Sequence, residues 1–203
     1  GKHVYPDQIH TEGIRGVTLD DVKYAEACDG VIKLIGRVTK RGDGRLNGLV
    51  APMILPKTSL LADVNDVFNG IMVRGDAIGD VVFYGRGAGK LPTASAVVAD
   101  VIDEVKHLKA RKYLFWERGE EGYVADYKDA PWRCLLRFRC AERQTARAQI
   151  LAVFSEVEPV IAHHAAADEL AFITPEMAER ELDGKIASLS GMELVSRLRV
   201  ASL

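Results

Sequence analysis

The stretch DVVFYGRGAGKLPTASAVVADVIDEV, residues 80–105, decides how we divide the chain. Its apolar run at residues 81–84 predicts a buried strand. A glycine-rich bend follows at residues 85–89, and apolar residues then recur at helical spacing, which predicts a helix over residues 93–108. A strand, a glycine bend and a helix start together let backbone N–H groups face an anion or the edge of a cofactor.

The bend does not fit two common phosphate-binding motifs. A P-loop needs a glycine five positions before the Gly-Lys pair, where Tyr84 stands, and a serine or threonine after the lysine, where Leu91 stands. A dinucleotide fingerprint needs its third glycine at the position of Lys90. The pattern alone therefore leaves two interpretations open, a tight strand-to-helix turn or a ligand-binding loop.

The residues themselves carry a more specific resemblance. The run FYGRGAGKLPTASAVVADVID, residues 83–103, closely resembles the end of the catalytic region of homoserine dehydrogenases. The resemblance extends back through TEGIRGVTLDDVKYAEACDGVIKLIGRV, residues 11–38, and VAPMILPKTSLLADVNDVFNGIMVRGDAIGD, residues 50–80. It covers roughly residues 4–106, and the chain is identified as similar to the C-terminal part of that family.

The resemblance implies an oxidoreductase that interconverts aspartate β-semialdehyde and homoserine with NADP or NAD, in threonine and methionine biosynthesis. In this family the N-terminal half supplies the nucleotide-binding domain, and a G-x-D-x-x-x-K type signature supplies the catalytic lysine. Neither occurs in these 203 residues. We therefore assign no catalytic residue and expect the chain alone to lack dehydrogenase activity.

The same resemblance places four residues at the cofactor. The backbone at Gly87, Ala88 and Gly89, together with Thr93, is expected to border the nicotinamide end, and the following helix is expected to pack on the nucleotide-binding domain. Glu12, in the TEGI stretch, is either an acid that contacts substrate or a structural residue in an ion pair or cap. A structural role is favoured because the family's substrate-contacting carboxylates lie mainly upstream.

Composition narrows the function classes. Hydrophobic residues make up 48% of the chain, and a formal net charge of −2 gives no electrostatic case for nucleic acid. No apolar run reaches the ~20 residues that cross a bilayer, which argues against a membrane protein. Three cysteines suit a reducing cytoplasm. The first residue is Gly1 rather than methionine, which suggests a fragment.

The predicted fold class is α+β, with two regions joined by a linker. Residues 1–108 form a substrate and dimerisation region with a mixed or antiparallel sheet, because hairpins are predicted at residues 31–52 and 67–84. Residues 109–131, rich in charges, glycines and aromatics, read as a linker. Residues 132–203 follow the order β-α-β-β-α-β, the ferredoxin-like split unit. Its strands are predicted at residues 132–141, 160–165, 169–174 and 193–201.

This C-terminal region resembles an ACT domain, a regulatory module that often binds amino acids and pairs with a copy of itself. The resemblance implies a homodimer and a possible threonine effector. The turn at residues 141–146, however, has neither the proline nor the glycine common in effector-binding members. The alternative function is a self-associating, amino-acid-binding module without chemistry of its own. A metal site is not expected, since the adjacent His163 and His164 would point to opposite faces of a strand.

Overall fold

The computed structural model describes residues 1–110, 115–163 and 165–201. The chain is a mixed α+β protein, as predicted, and its described part has four α-helices and twelve strands. The helices are α1 Leu19–Ala27, α2 Lys90–Lys106, α3 Arg143–Phe154 and α4 Glu179–Ala187. The strands are β1 Lys2–His3, β2 His10–Thr11, β3 Gly30–Lys40, β4 Leu46–Pro56, β5 Phe68–Gly75, β6 Gly79–Arg86, β7 Glu117–Arg118, β8 Pro131–Cys140, β9 Glu158–Val160, β10 Glu169–Ile173, β11 Met177–Ala178 and β12 Met192–Val200.

The chain forms two compact units. The smaller contains residues 1–2 and 58–117, and the larger contains residues 3–57 and the described residues from 118 onward. These borders differ from the predicted regions 1–108 and 132–203. The reason is that β12, near the C-terminus, pairs in parallel with β4, so one sheet includes strands from both predicted regions.

The larger unit is built on an eight-stranded sheet. Its main path runs β2-β4-β12-β8-β10-β9, with β3 paired to β4 and β11 paired to β8. The antiparallel β3–β4 hairpin confirms the prediction at residues 31–52, and its register runs from Gly30 opposite Pro56 to Lys40 opposite Leu46. Gly44 at the tip has φ 83°, a conformation that glycine adopts without strain.

The segment after residue 130 shows the predicted order of strands and helices, with β11 as an addition. Two boundaries were wrong. The strand predicted at residues 160–165 is instead the three-residue β9, which begins soon after α3 ends at Ser155 with φ 58°. His163 consequently lies in a turn rather than a strand, and His164 lies outside the described residues.

Strand β8 is central in the sheet and is covered on both faces. The alternation of Arg137 and Arg139 with apolar residues predicted a strand with one solvated face, and this was wrong for Arg137, which is 2% exposed. Helix α1 brings Tyr24 over that face, next to Leu135. The other face carries an aromatic core, listed here with its partners: Phe138, Phe154 and Phe172.

Burial of Arg137 is made possible by two carboxylates. Its guanidinium donates to Asp21 of α1 at 2.5 Å and to Glu169 of β10 at 3.1 and 3.2 Å. The Tyr24 hydroxyl donates to Glu169 at 3.1 Å, and the Arg137 guanidinium lies 4.8 Å from the Tyr24 ring centre. Burial raises the pKa of Asp21, but its hydrogen bonds with Ser196, Thr18 and Arg137 more than offset this and hold that pKa below the usual range.

A second buried guanidinium joins the same parts of the chain. Arg199 of β12 is 3% exposed and donates to Glu179 at the start of α4. It also donates to Glu12, which follows β2, at 2.7 and 3.0 Å. Glu12 further contacts the imidazole of His10 at 2.9 Å. Arg137 and Arg199 thus each connect one carboxylate from the N-terminal segment with one from the C-terminal segment.

Part of the predicted linker belongs to the larger unit. The backbone N–H of Leu46 donates to the carbonyl of Tyr123 at 2.9 Å, and that of Ala125 donates back to Leu46 at 2.8 Å. Ala125 and Ala130 are buried. The described residues 123–130 therefore pack against β4 instead of forming a free connection.

We expect Arg137→Met to lower the free energy of unfolding by about 3–5 kcal/mol, because it leaves Asp21 and Glu169 buried without their cation. Urea unfolding at neutral pH measures this. Arg139→Met is the matched control, since Arg139 lies on the same strand and face but is half exposed, so its loss should cost below about 1 kcal/mol. Equal losses in both variants would show that burial of the guanidinium is not what matters.

Candidate functional site

The glycine bend lies in the smaller unit, at the end of a hairpin. Strands β5 and β6 pair antiparallel from Phe68 opposite Arg86 to Gly75 opposite Gly79, which confirms the hairpin predicted at residues 67–84. Phe68 stacks on Tyr84 with ring centres 4.9 Å apart, and the Arg86 guanidinium lies 5.4 Å from the Phe68 ring centre. These contacts hold the last residues of β6 in place just before the bend.

Two glycines in the bend are required by its geometry. Gly89 has φ 119°, a conformation that a residue with a side chain adopts only under strain. A Cβ atom at Gly87 would collide with the amide of Asn69. Helix α2 begins directly afterwards at Lys90, three residues earlier than predicted, and the N–H of Thr93 donates to the carbonyl of Gly89 at 3.2 Å.

The structure brings the four predicted site residues together. Gly87, Ala88 and Gly89 form the bend, Thr93 lies in the first turn of α2, and all four are exposed. No side chain caps the helix at Gly89. The first backbone N–H groups of a helix have no partner within the helix, so these donors can bind an acceptor from outside. Arg86 and Lys90, which flank the bend, add positive charge beside them.

These features fit the approach of an extended, partly anionic ligand. The glycines allow a flat ring or an amide to come close to the backbone, and the helix start favours negative charge. The arrangement can bind and orient a cofactor, but the bend contains no residue suited to proton transfer. Among residues 1–110, 115–163 and 165–201, no group of three or more His, Cys, Asp or Glu residues is placed to hold a metal ion.

Helix α2 presents an apolar surface. None of its residues is buried, although it is the longest helix in the described part of the chain. The exposed apolar side chains recur at helical spacing: Leu91, Val97, Val98, Val101, Ile102 and Val105. We call these six residues the α2 face. An apolar stripe of this length on a soluble helix is typical of a surface that another protein or domain covers.

Glu12 has the structural role that the sequence favoured. Burial raises its pKa, but the hydrogen bonds and charges of Arg199 and His10 outweigh burial, so the pKa of Glu12 lies below its ordinary value. A carboxylate held ionised by a buried arginine is a poor proton donor at neutral pH. The sequence gave no reason to single out Arg199 or Arg137, because their carboxylate partners are distant along the chain.

No described helix is both long enough and apolar enough to cross a membrane. The three cysteines are free thiols, and Cys134 and Cys140 are both buried on β8. Burial raises the pKa of the Cys134 thiol to about 12, so it stays protonated and unreactive at neutral pH. None of the three cysteines is therefore paired in a disulfide.

Comparison with known proteins agrees with the resemblance read from the sequence. The family model for homoserine dehydrogenase matches residues 1–102. A homoserine dehydrogenase of Pseudomonas aeruginosa is 32% identical over 216 residues, covering 97% of this chain and 50% of the relative. Another, from Neisseria gonorrhoeae, is 45% identical over 101 residues, covering 50% of this chain and 23% of the relative.

Solved structures extend the likeness to the C-terminal segment. A homoserine dehydrogenase from Thiobacillus denitrificans superposes with a TM-score of 0.79 at 26% identity, covering 97% of this chain and 48% of that one. The S. aureus homoserine dehydrogenase gives 0.73 at 26% identity, covering 98% and 49%. The chain therefore spans about half the length of these proteins. Because the family model matches just over half of the chain and the fold agrees along nearly all of it, the chain belongs to the homoserine dehydrogenase family.

Proposed function

We propose that this chain is the substrate-side and regulatory portion of a homoserine dehydrogenase, the oxidoreductase that interconverts aspartate β-semialdehyde and homoserine with NADP or NAD. One observation carries the proposal: the family match over residues 1–102 ends within α2 and includes the whole glycine bend. The reduced thiols suit the cytoplasm, where amino-acid biosynthesis takes place.

In this proposal the chain positions the cofactor and contributes no proton-transfer group. The nicotinamide, when bound, supplies or accepts the hydride exchanged with the carbonyl carbon of the substrate. The backbone at Gly87 and Gly89 borders its ring, and the free N–H groups at the start of α2 donate hydrogen bonds to it. The described residues contain no βαβ unit that could hold a pyrophosphate, so the main nucleotide contacts come from elsewhere in the full enzyme.

The α2 face is the surface on which the nucleotide-binding domain packs. The helix directly follows the bend, so covering its apolar side chains would bring that domain to the residues that border the nicotinamide. Apolar burial along six exposed side chains would also stabilise the domain contact.

The segment β8-α3-β9-β10-α4-β12 acts as an ACT-type module in this proposal. Its strand order β12-β8-β10-β9, antiparallel throughout, is the arrangement expected of a ferredoxin-like βαββαβ unit. Only Ala141 and Glu142 separate β8 from α3, and neither is the proline or glycine common in effector-binding turns. Threonine is the candidate effector, and calorimetric titration separates this role from a purely structural one.

A homodimer is part of the same proposal. Strand β3 pairs only with β4 among the described strands, so its other edge is open. Leu34 and Val38 lie on one face of β3 and are 54% and 66% exposed. An open edge beside exposed apolar side chains suits pairing with a second copy, and sedimentation of the purified chain would report a monomer if this is wrong.

We expect Gly89→Ala, made in the full enzyme that contains this chain, to raise the KM for the nicotinamide cofactor on the order of tenfold or more. The alanine strains a backbone position at φ 119° by about 1–3 kcal/mol and moves the N–H groups of the bend. Initial rates with homoserine, followed by the absorbance of the reduced cofactor, measure the effect.

Gly79→Ala is the matched control for this test. Gly79 also has positive φ, is exposed and lies at the opposite end of β6, so its substitution strains the same hairpin without touching the bend. Its KM should stay near that of the unmodified enzyme. A similar rise in KM for both variants would contradict a cofactor role for the bend.

We expect Val101→Asp to leave the stability of the 203-residue chain within about 0.5 kcal/mol, because Val101 is 57% exposed. In the full enzyme the same change should lower the unfolding temperature, since a carboxylate would be buried under the nucleotide-binding domain. Thermal unfolding of both proteins measures this. Ala99→Asp, on the opposite side of α2, places the same charge off the α2 face, and an equal loss from it would argue against the proposed packing.

A further inference from the structure

The larger unit contains a polar cavity of about 220 Å³ beside the β3–β4 hairpin. Its wall combines β3 and β4, which belong to the family-matched region, with the start of β8 and the turn before β11 from the C-terminal segment. Six polar side chains contribute to it: Arg37, Thr39, Asn47, Trp132, Arg133 and Glu176.

Two polar atoms in this wall have no hydrogen-bond partner. Asn47 Oδ1, an acceptor, and Trp132 Nε1, a donor, are both buried and unpaired. Buried polar atoms are nearly always hydrogen-bonded in folded proteins, so an unpaired donor and acceptor lining one cavity need an explanation. A third such atom, the Nε of Arg137, belongs to a guanidinium whose other nitrogens are paired, so it needs none.

The charges in the wall define what would satisfy these atoms. The Arg37 guanidinium lies 5.1 Å from the Trp132 ring centre, which holds a positive charge at the cavity. Arg133 is paired with Glu158 at 2.6 Å, so much of its charge is already compensated. Glu176 contributes one exposed carboxylate. The cavity therefore offers a cation, a carboxylate, one N–H donor and one carbonyl acceptor.

We propose that this cavity binds a small α-amino acid or α-hydroxy acid. The ligand carboxylate pairs with Arg37 and accepts from Trp132 Nε1. The ammonium or hydroxyl group on the neighbouring carbon donates to Asn47 Oδ1, and an ammonium group is also attracted to Glu176. Asn47 is half-buried, and the broad last torsion of its side chain lets the amide turn toward a ligand. The volume suits a molecule of up to about eight non-hydrogen atoms.

Such a ligand would bridge the β3–β4 hairpin and the C-terminal segment. Because it contacts both, its binding would stabilise their junction by mass action. The inference concerns a site in the larger unit and needs neither the cofactor nor the glycine bend, so it can fail while the proposed function stands, and the reverse.

The test observes Trp132 directly in the 203-residue chain. Trp116→Phe removes the only other tryptophan, which is 74% exposed, and leaves Trp132 as the single indole. The probes are L-serine, L-lactate and acetate, and the readout is the indole N–H resonance of ¹⁵N-labelled protein. We expect a saturable shift with L-serine or L-lactate, and binding at least tenfold weaker for acetate, which lacks the second donor. A response to L-serine alone identifies the ammonium as the group recognised, and a response to L-lactate alone identifies the hydroxyl.

Two variants and a control complete the test. Asn47→Ala and Arg37→Met should each weaken binding about tenfold or more, whereas Arg45→Met, at the exposed tip of the same hairpin, should not. If either variant fails to fold by circular dichroism, the resonance shift in the Trp116→Phe protein still decides. An indole resonance that none of the probes moves in a folded sample, or that moves equally with acetate, overturns the proposal.

Discussion

Two buried guanidinium groups hold the larger unit together. Arg137 pairs with Asp21 and Glu169, and Arg199 pairs with Glu12 and Glu179. In each group of three, one carboxylate precedes residue 30 and the other follows residue 168. An unpaired charge in the interior costs several kcal/mol, so neither end of the chain can leave this unit without leaving a buried ion behind. The N-terminal segment and the C-terminal segment are therefore expected to fold as one.

This constraint separates the tasks of the two compact units. The smaller unit carries the glycine bend and the α2 face, whose exposed groups suit a cofactor and a covering domain. The larger unit carries the ionic groups, the ACT-like strands and the polar cavity. A ligand in that cavity would act where the two buried arginines already connect the same segments of chain. Regulation by a small molecule is therefore a property of the larger unit in this account.

Local patterns predicted the hairpins and the bend because each depends on residues close in sequence. Alternating apolar residues and the turn Arg41–Arg45 specify the β3–β4 hairpin, and Gly87 and Gly89 specify the strand-to-helix turn. Burial of Arg137 had no such signal, since Asp21 lies 116 residues away. Alternation along β8 correctly indicates which side chains share a face, but α1 covers the face that seemed solvated. Likewise, the parallel pairing of β12 with β4, which moves the compact-unit borders, is a long-range event.

The start of α2 and the position of β9 were displaced for local reasons that the sequence only partly reveals. Gly89 permits φ 119°, so the helix can begin at Lys90 before Pro92, which is tolerated in a first turn. Ser155 adopts φ 58°, an uncommon state for serine, which ends α3 and shifts the next strand toward it. The candidate cofactor residues were identified from family resemblance, whereas the polar cavity required the three-dimensional structure.

Native-state hydrogen exchange with increasing denaturant tests most directly whether the larger unit is a single cooperative structure. The account predicts that the slowest amides of β4, β8 and β12 share one free energy of opening and one denaturant dependence. Amides of β8, β10 and β12 that stay protected after β3 and β4 have opened would instead show an independently stable C-terminal module, and would contradict the role given to Arg137 and Arg199.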